Sequence, residues 1–360
     1  MTTQPQRPCQ HGIALIMVLM VVTVLAVLAG GFAYSMKVET RLAQNATWDA
    51  DMEWLARGGI EVAKWALNQR GQMSGGFDFL GQAWAGGRTE TNELVSQYIG
   101  QWVPLGNGEY RVTIEDLDRK MNINMANDVI LRQAVSLIGA DASVTPTIVN
   151  SILDWIDPDD NPGPGGAEKD FYSKLDPPYL PKNGRIDDLS ELLLINGIRE
   201  SPGMYWGSGA PPTHRVSRSA RQGHFEEPVY AVGFRDLFCT LSVGRLNINT
   251  ASPIAMQVFP FIDEHIAEAI RTRRAGPDGQ DGTEDDFPFR NPAELAQVPG
   301  VGEALAQFPQ LQQMIGVQSS VFEVKVQTRI GRHARTYTAY IRKAPGAALT
   351  PTLNLIWQDR

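Results

Sequence analysis

Two stretches of this chain crowd oxygen-bearing side chains into short loops. The first reads Asp154-Trp155-Ile156-Asp157-Pro158-Asp159-Asp160-Asn161-Pro162-Gly163-Pro164-Gly165-Gly166-Ala167-Glu168-Lys169-Asp170. Pro and Gly hold such a backbone in turns, so the carboxylates repel one another unless a cation offsets them. Hard cations such as Ca²⁺ take several oxygens from carboxylates, amides and carbonyls. Asp157, Asp159, Asp160, Asn161 and Glu168 are therefore candidate calcium ligands, with Asp154 and Asp170 in reserve. The second stretch, Gly276-Pro277-Asp278-Gly279-Gln280-Asp281-Gly282-Thr283-Glu284-Asp285-Asp286-Phe287, alternates Asp with Gly. Its candidates are Asp278, Asp281, Asp285 and Asp286. It lacks the spacing and the terminal bidentate Glu of an EF-hand. For each loop a solvated acidic turn is the competing reading. No other chemistry is apparent. The five histidines, His11, His214, His224, His265 and His333, show no metal-site pairing. Neither a nucleophile elbow nor a phosphate loop is present, so the sequence points away from an enzyme.

The elements around these loops repeat. Thr145 and Pro146 open a helix with Ile148, Ile152 and Ile156 on one side, which stops at Pro158 just as the first loop begins. The segment Met121-Asn122-Ile123-Asn124-Met125-Ala126 recurs as Leu246-Asn247-Ile248-Asn249-Thr250-Ala251. Downstream, the run from Asp188 to Ile198 matches that from Asn291 to Val301. Both runs open on an N-cap residue with Glu three positions on, Glu191 or Glu294, as in a capping box. Both close on a helix-stopping glycine, Gly197 or Gly300. Two matches in the same order predict two copies of one helical unit, about 119–199 and 245–302. A polar linker, about 200–227, separates them.

On either side of the repeats the pattern changes. Ile13 to Met36 is an uncharged run of 24 residues, long enough to cross a hydrocarbon core of ~30 Å as a helix. Helical spacing continues through Val38, Leu42, Ala46, Met52, Leu55, Ile60, Ala63 and Leu67. One helix is thus predicted over about 13–69, with a possible weak point at Gly58-Gly59. A short amphipathic segment, 93–102, and a strand, 109–115, follow. Phe322, Val324 and Val326 alternate along a second strand, and Tyr337, Ala339 and Ile341 along a third beyond Gly331, as in a half-buried antiparallel sheet.

The net charge of −8 disfavours phosphate backbones. The two cysteines form no framework. Cys9 precedes the apolar run, the wrong order for a lipoprotein signal, and Cys239 in Leu237-Phe238-Cys239-Thr240-Leu241 reads as a buried structural thiol.

The junction His11-Gly12-Ile13 resembles a type IV prepilin leader, which implies cleavage after Gly12 and methylation of Ile13. A signal anchor, or a secretory signal cut near 26–30, are the alternatives. Such proteins usually have Glu at the fifth mature position, where this chain has Met17. Together with the split sheet, the paired Asn-Ile-Asn segments and the first acidic loop, that departure resembles the K-type minor pseudopilins of type II secretion (general secretion pathway protein K family). The resemblance implies an α+β fold: a pilin-like long N-terminal helix on a small antiparallel sheet, with a large, mainly helical insertion of two related helix-hairpin-helix or SAM-like units. It divides the chain into a leader (1–12), a transmembrane segment (13–36), a stem and first part of the sheet (37–118), the insertion (119–318), C-terminal strands (319–345) and a tail (346–360).

It further implies structural Ca²⁺, a single-pass inner-membrane protein with a periplasmic C-terminal domain, and a non-enzymatic role at the pseudopilus tip in protein export. The implied partners are I- and J-type minor pseudopilins and prepilin peptidase, with no nucleic acid. The alternative is a membrane-anchored helix-hairpin-helix protein of DNA uptake, suggested by Val298-Pro299-Gly300-Val301-Gly302. The acidic loops beside both hairpins oppose DNA, and the first unit lacks the second glycine.

Overall fold

The computed structural model describes residues 11–73, 76–89, 93–209, 230–302, 313–343 and 354–359. A single helix, α1 (His11–Met73, 63 residues), runs ~95 Å at the usual rise. In its first half the apolar side chains from Leu15 to Met36 are exposed. It is long and apolar enough to cross a membrane. The second half is buried on one face, through Met52, Leu55, Ala56, Ile60, Ala63, Ala66 and Leu67. Gly58 and Gly59 do not interrupt it. A Cβ on Gly59 would lie 2.6 Å from Val326 Cγ1, so this glycine lets the helix sit directly on the sheet.

That sheet is antiparallel, in the order β1 (Trp102–Leu105), β2 (Gly108–Asp116), β7 (Val321–Ile330), β8 (His333–Arg342), β9 (Asn354–Asp359). Val112 pairs with Val326 and Ile114 with Val324, while Phe322 pairs with Ile341 and Val324 with Ala339. The alternation read from the sequence therefore faces inward as expected, against α1. Three local differences stand out. Only Glu93–Ser96 of the 93–102 segment is helical, and an edge strand starts at Trp102. The stretch assigned to a tail supplies a fifth strand beside β8. Within the expected linker, Gly203–Trp206 forms a helical turn with Met204 and Tyr205 buried; most of the remaining linker, like the leader up to residue 10, lies outside the described residues.

Between β2 and β7 lies the insertion, with its own core shared by both units. Each Asn-Ile-Asn segment enters as a two-residue parallel strand pair: β3 (Met121–Asn122) with β4 (Phe238–Cys239), and β5 (Leu246–Asn247) with β6 (Ile315–Gly316). In each, the first Asn accepts a hydrogen bond from the backbone N–H two residues on. The second Asn closes a reciprocal pair with a distant backbone: Asn124 with Ile186, and Asn249 with Phe289. The partners stand two residues before the matching runs at Asp188 and Asn291, so the duplication extends to single hydrogen bonds. The first two helices of each unit are Asp128–Ile138 and Thr145–Ile156, and Pro253–Met256 and Glu264–Arg274. The matching runs are 3-10 helices, Leu189–Leu194 and Pro292–Gln297. The capping box is complete at Asp188. At Asn291 the side chain does not cap, and Glu294 accepts the N–H of Arg290 instead. Gly197 and Gly300 both take positive φ, +89° and +83°.

Candidate metal loops and family relationship

Each acidic loop follows the second helix of its unit. In the first unit, Thr145–Ile156 presents Asp154 from its last turn and is capped at Asp157. Asp154 is buried, and both its oxygens accept the N–H of Gly163, at 3.0 and 3.2 Å. A Cβ on Gly166 would stand 1.9 Å from Asp154 Oδ2. The glycines thus let the loop fold tightly over this carboxylate.

Glu168 is the centre of the arrangement. Its side chain is 3% exposed. Burial, and then the carboxylates of Asp154, Asp157, Asp160 and Asp159, push its carboxyl up to about 7. Neither Glu168 Oε1 nor Oε2 has a hydrogen-bond partner, and Asp157 Oδ1 is equally orphaned. Burial and the Asp159 carboxylate also raise Asp157. An unsatisfied buried carboxylate is costly, and a hard cation supplies what both residues lack. Asp159 and Asp160 are exposed at the rim. Asp159 Oδ1 accepts the N–H and the Nδ2 of Asn161, at 2.8 and 3.0 Å, so Asn161 is committed to a turn. Asp170 is exposed.

Sequence reading missed Asn183. Its backbone is left-handed, φ +46°. Its Nδ2 donates to Asp159 O and Asp160 Oδ1, at 2.7 and 2.9 Å. Its Oδ1 is buried with no partner, a further neutral oxygen next to the loop. The Asn183-Gly184 dipeptide marks a turn but carries no sign of a distant site. As placed, these groups do not close a cage: among the described residues, no three His, Cys, Asp or Glu side chains converge closely enough to hold a metal. The donor set fits a hard cation by its orphaned oxygens.

In the second loop the carboxylates already have partners. Arg274 ends the helix Glu264–Arg274 and is 3% exposed. Its guanidinium makes two 2.8 Å bonds to Asp281 and also reaches the carbonyls of Ile248 and Ala251, at 2.5 and 2.7 Å. Asp278 accepts the Gln280 N–H at 2.7 Å. Asp285 accepts from the Asp278 N–H and the Thr283 hydroxyl, and these bonds hold its carboxyl below the usual range. Asp286 accepts the N–H groups of Gly282 and Thr283, while burial pushes it up. A Cβ on Gly276 would meet the Asp285 carbonyl at 2.0 Å, which requires glycine at this close turn. Of the four predicted residues, Asp281 is taken by a protein cation, while Asp278, Asp285 and Asp286 are held by backbone N–H groups and the Thr283 hydroxyl.

Cys239 is half-buried, with Sγ 3.3 Å from the Leu117 carbonyl. Burial raises its thiol, in keeping with a structural residue.

A membrane-length helix continuing onto a small antiparallel sheet defines a pilin-like protein, here one with a two-unit insertion. Residues 111–202 match the family model for type II secretion system protein K. The chain is 30% identical over 205 residues to type II secretion system protein K of Pseudomonas aeruginosa, a match covering 52% of this chain and 58% of that protein. To the Pectobacterium carotovorum protein of the same name it is 25% identical over 213 residues, covering 53% and 60%. These matches thus span a little under two thirds of either relative. The match to the Aeromonas hydrophila protein is 24% identical over 353 residues, 92% of this chain and 93% of that one. The fold resembles a chain in the crystal structure of the GspK-GspI-GspJ complex of the enterotoxigenic Escherichia coli type 2 secretion system, with a TM-score of 0.62 at 16% identity over 88% and 98% of the two chains. The chain is thus similar to type II secretion system protein K, through the family match at 111–202 and through a weaker likeness that extends over nearly the whole chain.

Proposed function

We propose that this chain is a non-enzymatic minor pseudopilin at the tip of the type II secretion pseudopilus, supporting its assembly and protein export. The observation that carries this reading is the single continuous helix whose membrane-length half is bare while its other half packs on a pilin sheet. That sheet is split between β2 and β7 by a bulky insertion, which would obstruct a subunit stacked above. Met17 agrees with a first-added subunit, because a Glu there would have no neighbouring amine to neutralise it in lipid. The proposed location is the bacterial inner membrane, single-pass, with the sheet and insertion in the periplasm. Prepilin peptidase is expected to cut between Gly12 and Ile13 and to methylate Ile13. The partners are I- and J-type minor pseudopilins, by analogy with the complex that contains the similar fold.

Calcium is proposed as a structural ion of the first loop, held by Asp157 and Glu168 with oxygens from Asp159, Asp160, Asn161 or Asn183. When bound it would supply the positive charge that the buried carboxylates lack. Asp278, Asp281, Asp285 and Asp286 fit such an ion poorly, since Arg274 and backbone N–H groups already occupy them.

Two measurements test the assembly reading. N-terminal sequencing of membrane-extracted protein is expected to start at Ile13, and a start near residue 30 rules the pilin reading out. Co-expression with I- and J-type subunits is expected to give a heteromer by size exclusion. A stable filament of this chain alone would contradict the tip position.

A further inference from the structure

Three buried carboxylates meet where the insertion joins the pilin body: Asp116 and Asp118 at the end of β2, and Asp78 in the segment after α1. The insertion leaves the body just after Asp118 and returns at Ser319 and Ser320, before β7. Both crossings are tied to this cluster. Asp118 accepts the N–H groups of Ser320 at 2.6 Å and Val321 at 3.3 Å, and that of Val243 at 2.8 Å. Asp78 Oδ2 accepts the Ser319 N–H at 2.7 Å. Asp116 Oδ1 accepts the Asp118 N–H at 2.8 Å. Asp116 Oδ2 receives the hydroxyls of Ser319 and Thr250, both at 2.5 Å, and Asn247 Nδ2 at 3.4 Å. Asn247 and Thr250 belong to the second Asn-Ile-Asn segment. The matching asparagine of the first unit, Asn122, donates instead to the carbonyls of Thr240 and Ser242. The carboxylate contact thus belongs to the second unit and has no counterpart at Asn122.

This network can take up one proton without losing a hydrogen bond. Thr250 Oγ1 also lies 3.3 Å from the Asn247 carbonyl. A protonated Asp116 Oδ2 would donate to Thr250 Oγ1, and the Thr250 hydroxyl would turn to that carbonyl. Ser319 would still donate to Asp116 while accepting from Asn247 Nδ2, 2.7 Å away. A cavity of about 260 Å³ is lined by Asp116 together with Glu115, Arg119, Glu323 and Lys325. Its two cations are paired, Arg119 with Glu115 at 3.4 Å and Lys325 with Glu323 at 2.7 Å. The titratable groups around Asp116 are therefore Asp118 and Asp78 from the joint and these two pairs from the cavity; Cys239 faces Asp118.

We propose that Asp116 is a proton-linked latch between the insertion and the pilin body, firm when uncharged and loosened when ionised. The direction follows from the surroundings. Burial first, and then the Asp118 charge, push the Asp116 carboxyl up to about 7, against the opposing hydrogen bonds of Ser319 and Thr250. Opening the joint releases it toward an ordinary value near 4. A group raised in the closed form favours closure below its open-state value and loses that effect as pH rises through its closed-state value. The joint is thus tightest in mild acid and loosest above neutrality. This inference is independent of the calcium and secretion readings.

Hydrogen exchange of the full chain in detergent micelles tests it, with saturating calcium and correction for intrinsic exchange. Protection over 243–251 and 316–321 is expected to fall about tenfold per pH unit from pH 5 to 6.5 and to level off above pH 7. Asp116→Asn, which resembles the uncharged form, is expected to flatten this dependence and keep the acid-level protection. PH-independent protection in the parent chain, or an unchanged slope in Asp116→Asn, would overturn the proposal. Should that variant not fold, aspartate-carboxyl ¹³C titration of the parent chain decides. A buried carboxyl titrating near neutrality, and higher in Ser319→Ala, is expected; titration of every aspartate below pH 5 refutes the latch.

Discussion

The two acidic loops occupy the same place in two copies of one unit, yet they balance their charge differently. In the first, Asp157 and Glu168 keep orphaned oxygens in a buried pocket. In the second, Arg274 reaches in from the preceding helix and takes both oxygens of Asp281. The difference begins at that helix's end. Ile156 and Asp157 close the first helix, whereas Arg273 and Arg274 close the second. A basic side chain at a helix C-terminus is favoured by the dipole, and here it also supplies the loop's cation. Counting carboxylates therefore does not identify a metal loop; what matters is whether a protein cation or backbone donors have already satisfied them.

The largest effect that can break this comparison lies at Arg274. Arg274→Met leaves Asp281 and two carbonyls without their partner and is expected to cost about 3–5 kcal/mol, the usual loss when one half of a buried pair is removed. Thermal unfolding measures it, with and without calcium. If calcium restores the lost stability, the second loop is a latent ion site and the contrast fails. Next comes the ion itself. At a hundredfold excess over Kd, calcium is expected to stabilise the parent chain by about 2.7 kcal/mol, a shift on the order of 5–10 °C for a unit this size. Calorimetry that finds no heat on adding calcium to chelated protein removes the proposed site.

Glu168→Gln sharpens the contrast through a reversal of sign. With calcium the variant is expected to be less stable than the parent, having lost a charged ligand. With chelator it is expected to be more stable, on the order of 1 kcal/mol, because the loop loses one of its repelling charges. Destabilisation under both conditions would mark Glu168 as a packing residue only.

Much of this architecture was legible in the sequence. The alternation in β7 and β8, the helical spacing of α1 and the duplicated Asn-Ile-Asn segments are periodic signals, and each maps to a buried face or a repeated hydrogen bond. What escaped was aperiodic or distant. β1 is four residues long and contains Pro104, a residue confined to sheet edges. Asn183 joins the first loop from a turn 22 residues beyond Asn161, with nothing local to announce it. Arg274 stood in plain view two residues before the second loop, but its bond to Asp281 depends on the turn at Gly276, which a list of acidic residues does not contain. The joint at Asp116 was hidden for the same reason, since its donors come from three separate segments.

A smaller effect should separate Asn183 from the rim. Asn183→Gly keeps the left-handed backbone accessible and removes only the side-chain amide, so the turn itself should survive. If Asn183 Oδ1 helps hold the ion, calcium affinity is expected to fall about tenfold, the scale seen when a supporting group at a metal site is lost. An unchanged affinity would confine the ion to the carboxylates.

The smallest expected effect is the control on which the comparison depends. Asp278 is exposed, and its carboxylate accepts the Gln280 N–H within the same turn. Asn can accept that bond through its amide oxygen, so Asp278→Asn should change stability by no more than about 0.5 kcal/mol. It also removes one negative charge near Asp281 and Asp286, and the calcium heat should not change. The equivalent loss in the first loop, Asp157→Asn, removes charge where an oxygen is already orphaned and should lower the calcium response. If both substitutions reduce that response alike, the two loops share the ion chemistry, and Arg274 is a counter-charge rather than a replacement for the metal.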